Sequence, residues 1–412
     1  MEIKQLNLFP NGDIIVPPSK SFTHRALICA ALAKGKSVVN NISNCDDINA
    51  TLNCINAIGS NFTRYEKSIV FDGENSISNN IILDCNESGS TLRFFIPIIA
   101  ALGITAQFTG KPSLLRRPIA PYLKVFANTN VKIVQTSDKI EVSGQLSSGK
   151  YYIEGNVSSQ FITGLLLALP LCDGKSEIVL TTQLESKNYV DITIDVMRSF
   201  GVNVINNDYK SFVITENQHY KSLSYTVEGD YSNAAFFLVI SALGDNLNIV
   251  GLNPNSLQGD KEILNIIEKV GSKINYSDNS LTITAKKFKP IVIDASQIPD
   301  LVPAIAVLLS FCEGESKIIN AGRLRLKESD RLNSIATELN KLGGNIQEEL
   351  DGLTIKGINH FTGGVTYSHN DHRIAMMIAA ASLKSTDKIS LIGYNCVNKS
   401  YPDFWENFEK IH

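Results

Sequence analysis

Three things are scarce in this sequence: paired cysteines, long apolar runs and surplus positive charge. The seven cysteines are Cys29, Cys45, Cys54, Cys85, Cys172, Cys312 and Cys396, and no two stand in a C-x-x-C spacing. Most sit in apolar stretches, so neither a disulfide framework nor a zinc ribbon is expected, but buried thiols in a reducing compartment. The opening MEIKQLNLFP lacks a charged-then-apolar signal pattern. The longest greasy runs, such as FFIPIIAALGITA from Phe94, are too short for a bilayer and are broken by Pro97 and Gly103. A cytoplasmic protein without membrane contact is expected. The net charge of −3 excludes a broad nucleic-acid surface, which needs clustered basic excess.

Further absences narrow the chemistry. There is no G-x-x-x-x-G-K-[ST] loop and no G-x-G-x-x-G fingerprint after a strand, so neither nucleotide hydrolysis nor a dinucleotide cofactor is indicated. No Ser-His-Asp or Cys-His arrangement can be read. His369 and His372, in HNDH, are a histidine pair without a further ligand cluster, so no metal is expected.

What is present is concentrated. Of 38 basic residues only 10 are arginine, and eight of these (Arg25, Arg93, Arg116, Arg117, Arg323, Arg325, Arg331, Arg373) fall in a few short motifs. Arginine offers a planar, bidentate fork for phosphate and carboxylate that lysine lacks. Any anionic ligand of this acidic chain would be met by such local clusters.

The chain of 412 residues also repeats itself. Six segments share one plan: a polar start, a helix rich in Ala, Leu and Ile, a short break, then a β-prone stretch. They begin at Ser19, Ser88, Ser158, Tyr231, Pro299 and Asp371, roughly 70 residues apart, longer than solenoid repeats of about 20–50. Between them lie further amphipathic helices ending at Gly, such as DDINATLNCINAIG and DRLNSIATELNKLGG, and β-prone runs such as KIEVSGQL, SFVITEN, SLTITAK and DGLTIKG. Alternating strands and helices give an α/β class. The repeated helices are apolar nearly all round, which places them inside a domain. Six units make two lobes of three. One lobe is expected to hold residues 15–228, and the other residues 1–14 plus 229–412, with the crossing in YTVEGDY and the N-terminal strand returning to the later repeats.

The polar starts of these helices carry the chemistry. A helix N-terminus presents unpaired N–H groups and a positive dipole end, which suit phosphate or carboxylate. Four mouths are equipped alike: Ser19, Lys20, Ser21 and Arg25; Ser88, Gly89, Ser90 and Arg93; Ser158, Ser159 and Gln160; Asp371, His372 and Arg373. Each Ser or Asp alone reads equally as an N-cap. SLLRRPIAP adds Arg116 and Arg117, AGRLRLKESDRL adds Arg323, Arg325, Lys327 and Arg331, and NKSYPDFW adds Lys399. Arg116 and Asp330 also fit a solvated surface. Asp300 stands at the lip of the apolar helix in IPDLVPAIAVLL, and Glu328 stands within the basic cluster. Among cations and beside an apolar wall, either can work as general acid or base. Asp300 also fits a plain N-cap, and Glu328 a salt-bridge partner. The residues describe an enzyme that joins two small anions by proton transfer and charge stabilisation, without a cofactor.

These motifs, in their order from PPSKSFTHRAL to NKSYPDFW, resemble the 5-enolpyruvylshikimate-3-phosphate synthase family. The resemblance implies a two-lobed, inside-out α/β barrel in which each lobe has three βαβαββ units and the lobes close on the substrates. It implies transfer of the enolpyruvyl group of phosphoenolpyruvate to the 5-hydroxyl of shikimate 3-phosphate, with release of phosphate, a step of the shikimate pathway to chorismate and aromatic amino acids. Lys20, Ser21, Arg25, Ser158, Ser159, Gln160, Ser186, Tyr189, Asp300 and Lys327 would then bind shikimate 3-phosphate. Lys20, Gly89, Arg117, Gln160, Arg331, Arg373 and Lys399 would bind phosphoenolpyruvate. Asp300 would take the hydroxyl proton, and Glu328, with Lys20 as rival, would give one to the methylene carbon. No cofactor, nucleic acid or partner chain is implied, and a monomer is expected. The chain departs from the family at Glu87, where many relatives have Asn, and at Arg323, where some do. The sister UDP-N-acetylglucosamine enolpyruvyl transferases usually carry Lys-Asn in place of Lys20-Ser21, and a loop cysteine that GKPSLLRRPIAP lacks. A non-catalytic metabolite binder of the same fold would not need Asp300 and Glu328.

Overall fold

A computed structural model describes residues 1–3, 11–76, 78–244, 247–284 and 287–411. The last two residues of the β-prone run SLTITAK, and the break after the fourth repeat helix, fall outside these. The chain divides into two compact units: Met1–Pro17 with Glu228–His412, and Pro18–Val227.

Each unit is built from its repeats. In Pro18–Val227 the repeat helices are Lys20–Leu32, Gly89–Leu102 and Ser159–Ala168. In the other unit they are Tyr231–Gly244, Val302–Leu309 and His372–Ala381. The largely apolar composition is matched by burial: every residue of Tyr231–Gly244 and of Val302–Leu309 is buried. Such helices have no face for water and form the middle of their unit, with the sheets outside.

The sheets share one recipe. In the second repeat, Ile81–Asp84 runs parallel to Ala106–Thr109 across the intervening helix, and the hairpin Lys132–Gln135/Ile140–Ser143 adds antiparallel through its second strand. Burial alternates along Ala106–Thr109 and Ile140–Ser143, so one face covers the helices. Gly103 stops the repeat helix in a left-handed conformation (φ 68°) and sends the chain into the strand.

Among the described residues, three sheets take a strand from a distance. Strand Gly12–Ile15 pairs parallel with Leu247–Val250 and serves the fourth repeat, while Ser224–Thr226 pairs parallel with Ser37–Asn40 and serves the first. Among the described residues the sheet of the sixth repeat has three strands, in which Glu2–Ile3 lies antiparallel to Ile389–Ile392, itself parallel to Gly364–Tyr367. The amphipathic segments between repeats form the helices Asp46–Ala57, Lys187–Ser199, Glu262–Val270 and Arg331–Lys341.

Candidate functional site

Within Pro18–Val227 the helix starts gather the polar groups. Lys20 opens its helix, and its Nζ lies 2.7 Å from Asp47 Oδ2, with both side chains mostly buried. Asp47 sits in the first turn of helix Asp46–Ala57, so this carboxylate fixes the direction of Lys20. Sequence reasoning missed it, because DD before an apolar run reads as an ordinary helix start. A second buried link joins two mouths. His24 Nδ1 and Thr51 Oγ1 are 2.7 Å apart, Thr51 and Thr91 hydroxyls are 2.7 Å apart, and Thr91 Oγ1 donates to Ser88 Oγ at 2.7 Å.

Arg25 is only 2% exposed. Its Nε donates to Thr193 Oγ1 at 2.7 Å, Nη1 to the Ser21 carbonyl at 2.7 Å, and Nη2 to the Tyr189 carbonyl at 3.0 Å and Thr163 Oγ1 at 3.3 Å. Burial brings its pKa down to about 10, against the opposing influence of Tyr189 and Cys29, so it is cationic at neutral pH. Arg25 therefore ties three helices together and backs Ser21 and Tyr189.

The second mouth is the tightest. Ser88 caps its helix by accepting from Thr91 N. A Cβ on Gly89 would meet Arg117 Nη1 at 3.0 Å and Arg93 Nη1 and Gln160 Oε1 at 3.7 Å each. Arg93 donates to Gln160 Oε1, and Gln160 Nε2 donates to Ser90 Oγ at 2.9 Å. Gly89, Ser90, Arg93, Arg117 and Gln160 thus form one cationic cluster drawn from three segments, with the Arg93 guanidinium 4.8 Å from the Phe161 ring centre. Ser158 caps the third repeat helix through Gln160 N at 3.3 Å, and Ser159 is buried at its first turn. Ser186 precedes helix Lys187–Ser199 with φ 54° and ψ 49°, a conformation that costs a non-glycine residue about 1 kcal/mol or more and marks a site that its surroundings over-determine. Arg116, by contrast, is exposed.

In the other unit one guanidinium organises three carboxylates. Arg331 is 1% exposed; its Nε lies 2.7 Å from Asp371 Oδ2, Nη1 2.7 Å from Asp300 Oδ1 and Nη2 2.6 Å from Glu328 Oε2. Asp300 Oδ1 is also 3.4 Å from Lys327 Nζ and 3.5 Å from Arg373 Nε. Asp300 lies in the 3-10 turn Pro299–Leu301, and Leu301, not Asp300, occupies the cap position of Val302–Leu309. The plain N-cap alternative for Asp300 is thereby replaced by an ion-pair hub. Burial opposes ionisation of Asp300, but Arg373, Lys327 and Arg331 outweigh it and hold the carboxyl well below the ordinary aspartate value. Burial, with Arg331 and Arg323, lowers the Lys327 pKa against the pull of Asp300 and Glu328.

Asp371 caps helix His372–Ala381 by accepting from Arg373 N at 3.0 Å, and so fixes both arginines. Arg373 Nη1 donates to the Asp300 carbonyl at 3.0 Å and to the Ser232 carbonyl at 3.4 Å. Ser232 Oγ in turn donates to Asp260. Burial and then the Asp300 charge push the Asp260 carboxyl up to about 7, against Arg373 and Ser232. Asp260 carries no motif and went unread in the sequence. Lys399 is buried at the end of the turn Tyr394–Lys399 that packs on helix His372–Ala381; its neighbour Ser400 accepts from Asn233 Nδ2 at 3.2 Å. Arg325 turns to Asp330 and Glu348 on the surface. His369 pairs with the buried Glu338 at 2.6 Å, apart from His372. Among the described residues no group of three or more His, Cys, Asp or Glu is placed to hold a metal, and no helix is long and apolar enough to cross a membrane.

The arrangement can hold small polyanions on arginine and lysine, and can hold a carboxylate ionised beside them. Comparison with known proteins agrees in kind. A sequence model described as EPSP synthase (3-phosphoshikimate 1-carboxyvinyltransferase) matches residues 9–408. A 3-phosphoshikimate 1-carboxyvinyltransferase of Clostridium perfringens (strain ATCC 13124) is 45% identical over 405 residues, covering 97% of this chain and 96% of the relative. One of Clostridium novyi (strain NT) is 46% identical over 413 residues, covering 97% and 95%. Among solved structures, an EPSP synthase of Acinetobacter baumannii superposes with TM-score 0.83 at 23% identity, covering 100% of this chain and 97% of that one. The enolpyruvyl transferase NikO of Streptomyces tendae gives 0.82 at 16%, covering 100% and 96%. At these identities the structures speak for the fold alone.

Proposed function

The chain belongs to the EPSP synthase family, and from that premise we propose that it transfers the enolpyruvyl group of phosphoenolpyruvate to the 5-hydroxyl of shikimate 3-phosphate. The observation that carries the chemistry is Asp300, a carboxylate with Lys327, Arg331 and Arg373 all within 3.5 Å of one oxygen. The hydroxyl oxygen attacks C2 of phosphoenolpyruvate and its proton passes to Asp300. A proton adds to C3, and a tetrahedral intermediate forms. Loss of a proton from C3, back to the group that gave it, then expels phosphate and restores the double bond, and Asp300 gives up its proton with the departing phosphate.

With so depressed a pKa, Asp300 is a weak base in the empty protein. Bound anions offset the field of Lys327, Arg331 and Arg373, so the proton affinity of Asp300 rises when both substrates are present. Lys20, Arg117, Arg373 and Lys399 supply charge to the anionic groups. Ser158, Ser159 and Ser186 take the shikimate phosphate, and Ser21, Arg25, Gln160 and Tyr189 orient its ring. Arg331 organises the carboxylates as well as meeting phosphoenolpyruvate. Glu328, having taken up a proton in the substrate complex, gives it to C3. The 2.7 Å pair of Lys20 with Asp47 supports Lys20 as the second candidate, since it keeps an ammonium oriented. The protein works as a cytoplasmic monomer without a cofactor, which fits the buried thiols of Cys29, Cys45, Cys54, Cys85 and Cys312.

The test is phosphate release with phosphoenolpyruvate plus shikimate 3-phosphate, beside a UDP-N-acetylglucosamine control. Release with shikimate 3-phosphate alone, abolished in Asp300→Ala, is expected. Release only with the sugar nucleotide would move the chain to the sister activity. Silence with both, from folded protein, would leave a metabolite binder.

A further inference from the structure

We propose that Glu87 is a positioning residue for Arg117: it clamps residues 111–117 onto the turn that opens helix Gly89–Leu102. The inference rests on the proposed function in one respect, that Arg117 meets phosphoenolpyruvate.

Glu87 is 7% exposed, and a buried carboxylate persists only where it is bonded. Its Oε1 accepts from Ser113 Oγ at 2.7 Å, and its Oε2 lies 3.5 Å from Lys111 Nζ. Both partners belong to one short segment. The main chain repeats the attachment next door, where Lys111 N donates to the Asn86 carbonyl at 2.7 Å. Residues 86–87 therefore grip residues 111–113 through backbone and side chain together. The segment continues through the single helical turn Pro112–Leu115, and Arg117 N closes it by donating to the Leu114 carbonyl at 3.0 Å. Gln135 Nε2 braces its far side by donating to the Leu115 carbonyl at 2.8 Å. The Arg117 guanidinium then returns to Gly89, two residues after Glu87, at the 3.0 Å Cβ approach already described.

The circuit starts and ends on one turn. Loss of the Glu87 bond to Ser113 leaves the main-chain bond from Lys111 N and the Gln135 brace to hold the segment, and loosens the distance between Arg117 and Gly89. An asparagine at position 87, one methylene shorter and uncharged, could not pair with the Lys111 charge. A carboxylate beside an anion subsite would ordinarily repel its ligand. Here its two oxygens are spent on Ser113 and Lys111, so it contributes placement. A bidentate guanidinium loses much of its advantage when its fork is misaligned.

The experiment follows protection of Arg117 from phenylglyoxal by phosphoenolpyruvate, with shikimate 3-phosphate at a fixed level, read by peptide mass spectrometry with Arg64 as control. The half-protecting concentration should rise about tenfold in Glu87→Ala and return to within about threefold of wild type in Glu87→Gln, which keeps the Ser113 bond. KM for phosphoenolpyruvate should follow, while kcat and KM for shikimate 3-phosphate stay within about twofold. Glu87→Ala/Ser113→Ala should be no worse than Glu87→Ala. Unchanged half-protection in folded Glu87→Ala, or equal losses for both substrates, overturns the proposal, as does a wild type in which phosphoenolpyruvate gives Arg117 no protection. Protection that shifts as expected in a protein without turnover upholds the clamp and removes the proposed reaction instead.

Discussion

Arg331 and Asp371 form an ion pair closed to water, with Nε and Oδ2 2.7 Å apart and side chains 1% and 0% exposed. Such a pair is weak evidence of net stabilisation, but breaking it from one side leaves a buried charge alone. Arg331→Ala removes the guanidinium that Asp300, Glu328 and Asp371 share, although Lys327 and Arg373 stay beside Asp300. The expected loss is about 3–5 kcal/mol in urea unfolding, and Arg331→Lys should not recover it, because one ammonium cannot reach three carboxylates. A loss below about 1 kcal/mol would mean that water reaches this cluster.

Asp260 should make stability fall with pH. Its folded pKa of about 7 lies above the usual aspartate value, so the folded state holds an extra proton between about pH 4 and 7. The associated stability is present below that window and is lost as pH rises through it. Asp230, Asp300 and Arg373 are the charged groups that act on it. Asp260→Asn should therefore gain on wild type as pH rises, by up to a few kcal/mol. Urea midpoints at pH 5 and pH 8 decide it; an identical difference at both values rules the effect out.

Asp300 shifts the other way. Its carboxyl is held below the ordinary range by three cations, so its contribution is present at neutral pH and lost only as pH falls below that range. The acid limb of kcat/KM should not come from Asp300 in wild type. In Lys327→Met one cation is gone, and acid loss should begin at higher pH. A pH–rate profile whose acid limb does not move would separate Lys327 from the base.

Gly89→Ala should weaken phosphoenolpyruvate selectively. The added Cβ, at 3.0 Å from Arg117 Nη1, moves the guanidinium by a few tenths of an ångström, while the backbone there needs no special φ. KM for phosphoenolpyruvate should rise about three- to tenfold, with KM for shikimate 3-phosphate nearly unchanged. Steady-state kinetics with each substrate varied would show it, and a parallel rise for both would contradict it.

The helices were legible because apolar composition and glycine stops act locally. DRLNSIATELNKLGG gives helix Arg331–Lys341, and the largely apolar YSNAAFFLVISALG gives a helix buried on every side. The candidate site could be read as a set of residue types and not as a set of contacts. Gly89 and Arg117 are far apart in sequence, and only the packed segment 111–117 brings them together. Arg25 read as a ligand-binding group at a helix mouth, yet four hydrogen bonds tie it to Ser21, Thr163, Tyr189 and Thr193. Asp47 and Asp260 are two of 41 acidic residues, and burial beside Lys20 or Ser232 is what sets them apart. The left-handed backbone of Ser186 has no signal in a serine.

Strand Gly12–Ile15 pairs with Leu247–Val250, and Asp13 and Asn248 bond across 235 residues. During synthesis strand Gly12–Ile15 meets Leu247–Val250 only after the whole of Pro18–Val227 has emerged. That middle stretch is continuous and holds all its own strands, so it can finish folding on the ribosome while the leading strand waits. A gene fragment for 18–227 would carry a complete sheet set, whereas one for 228–412 would expose the bare edge of Leu247–Val250 to any stray strand.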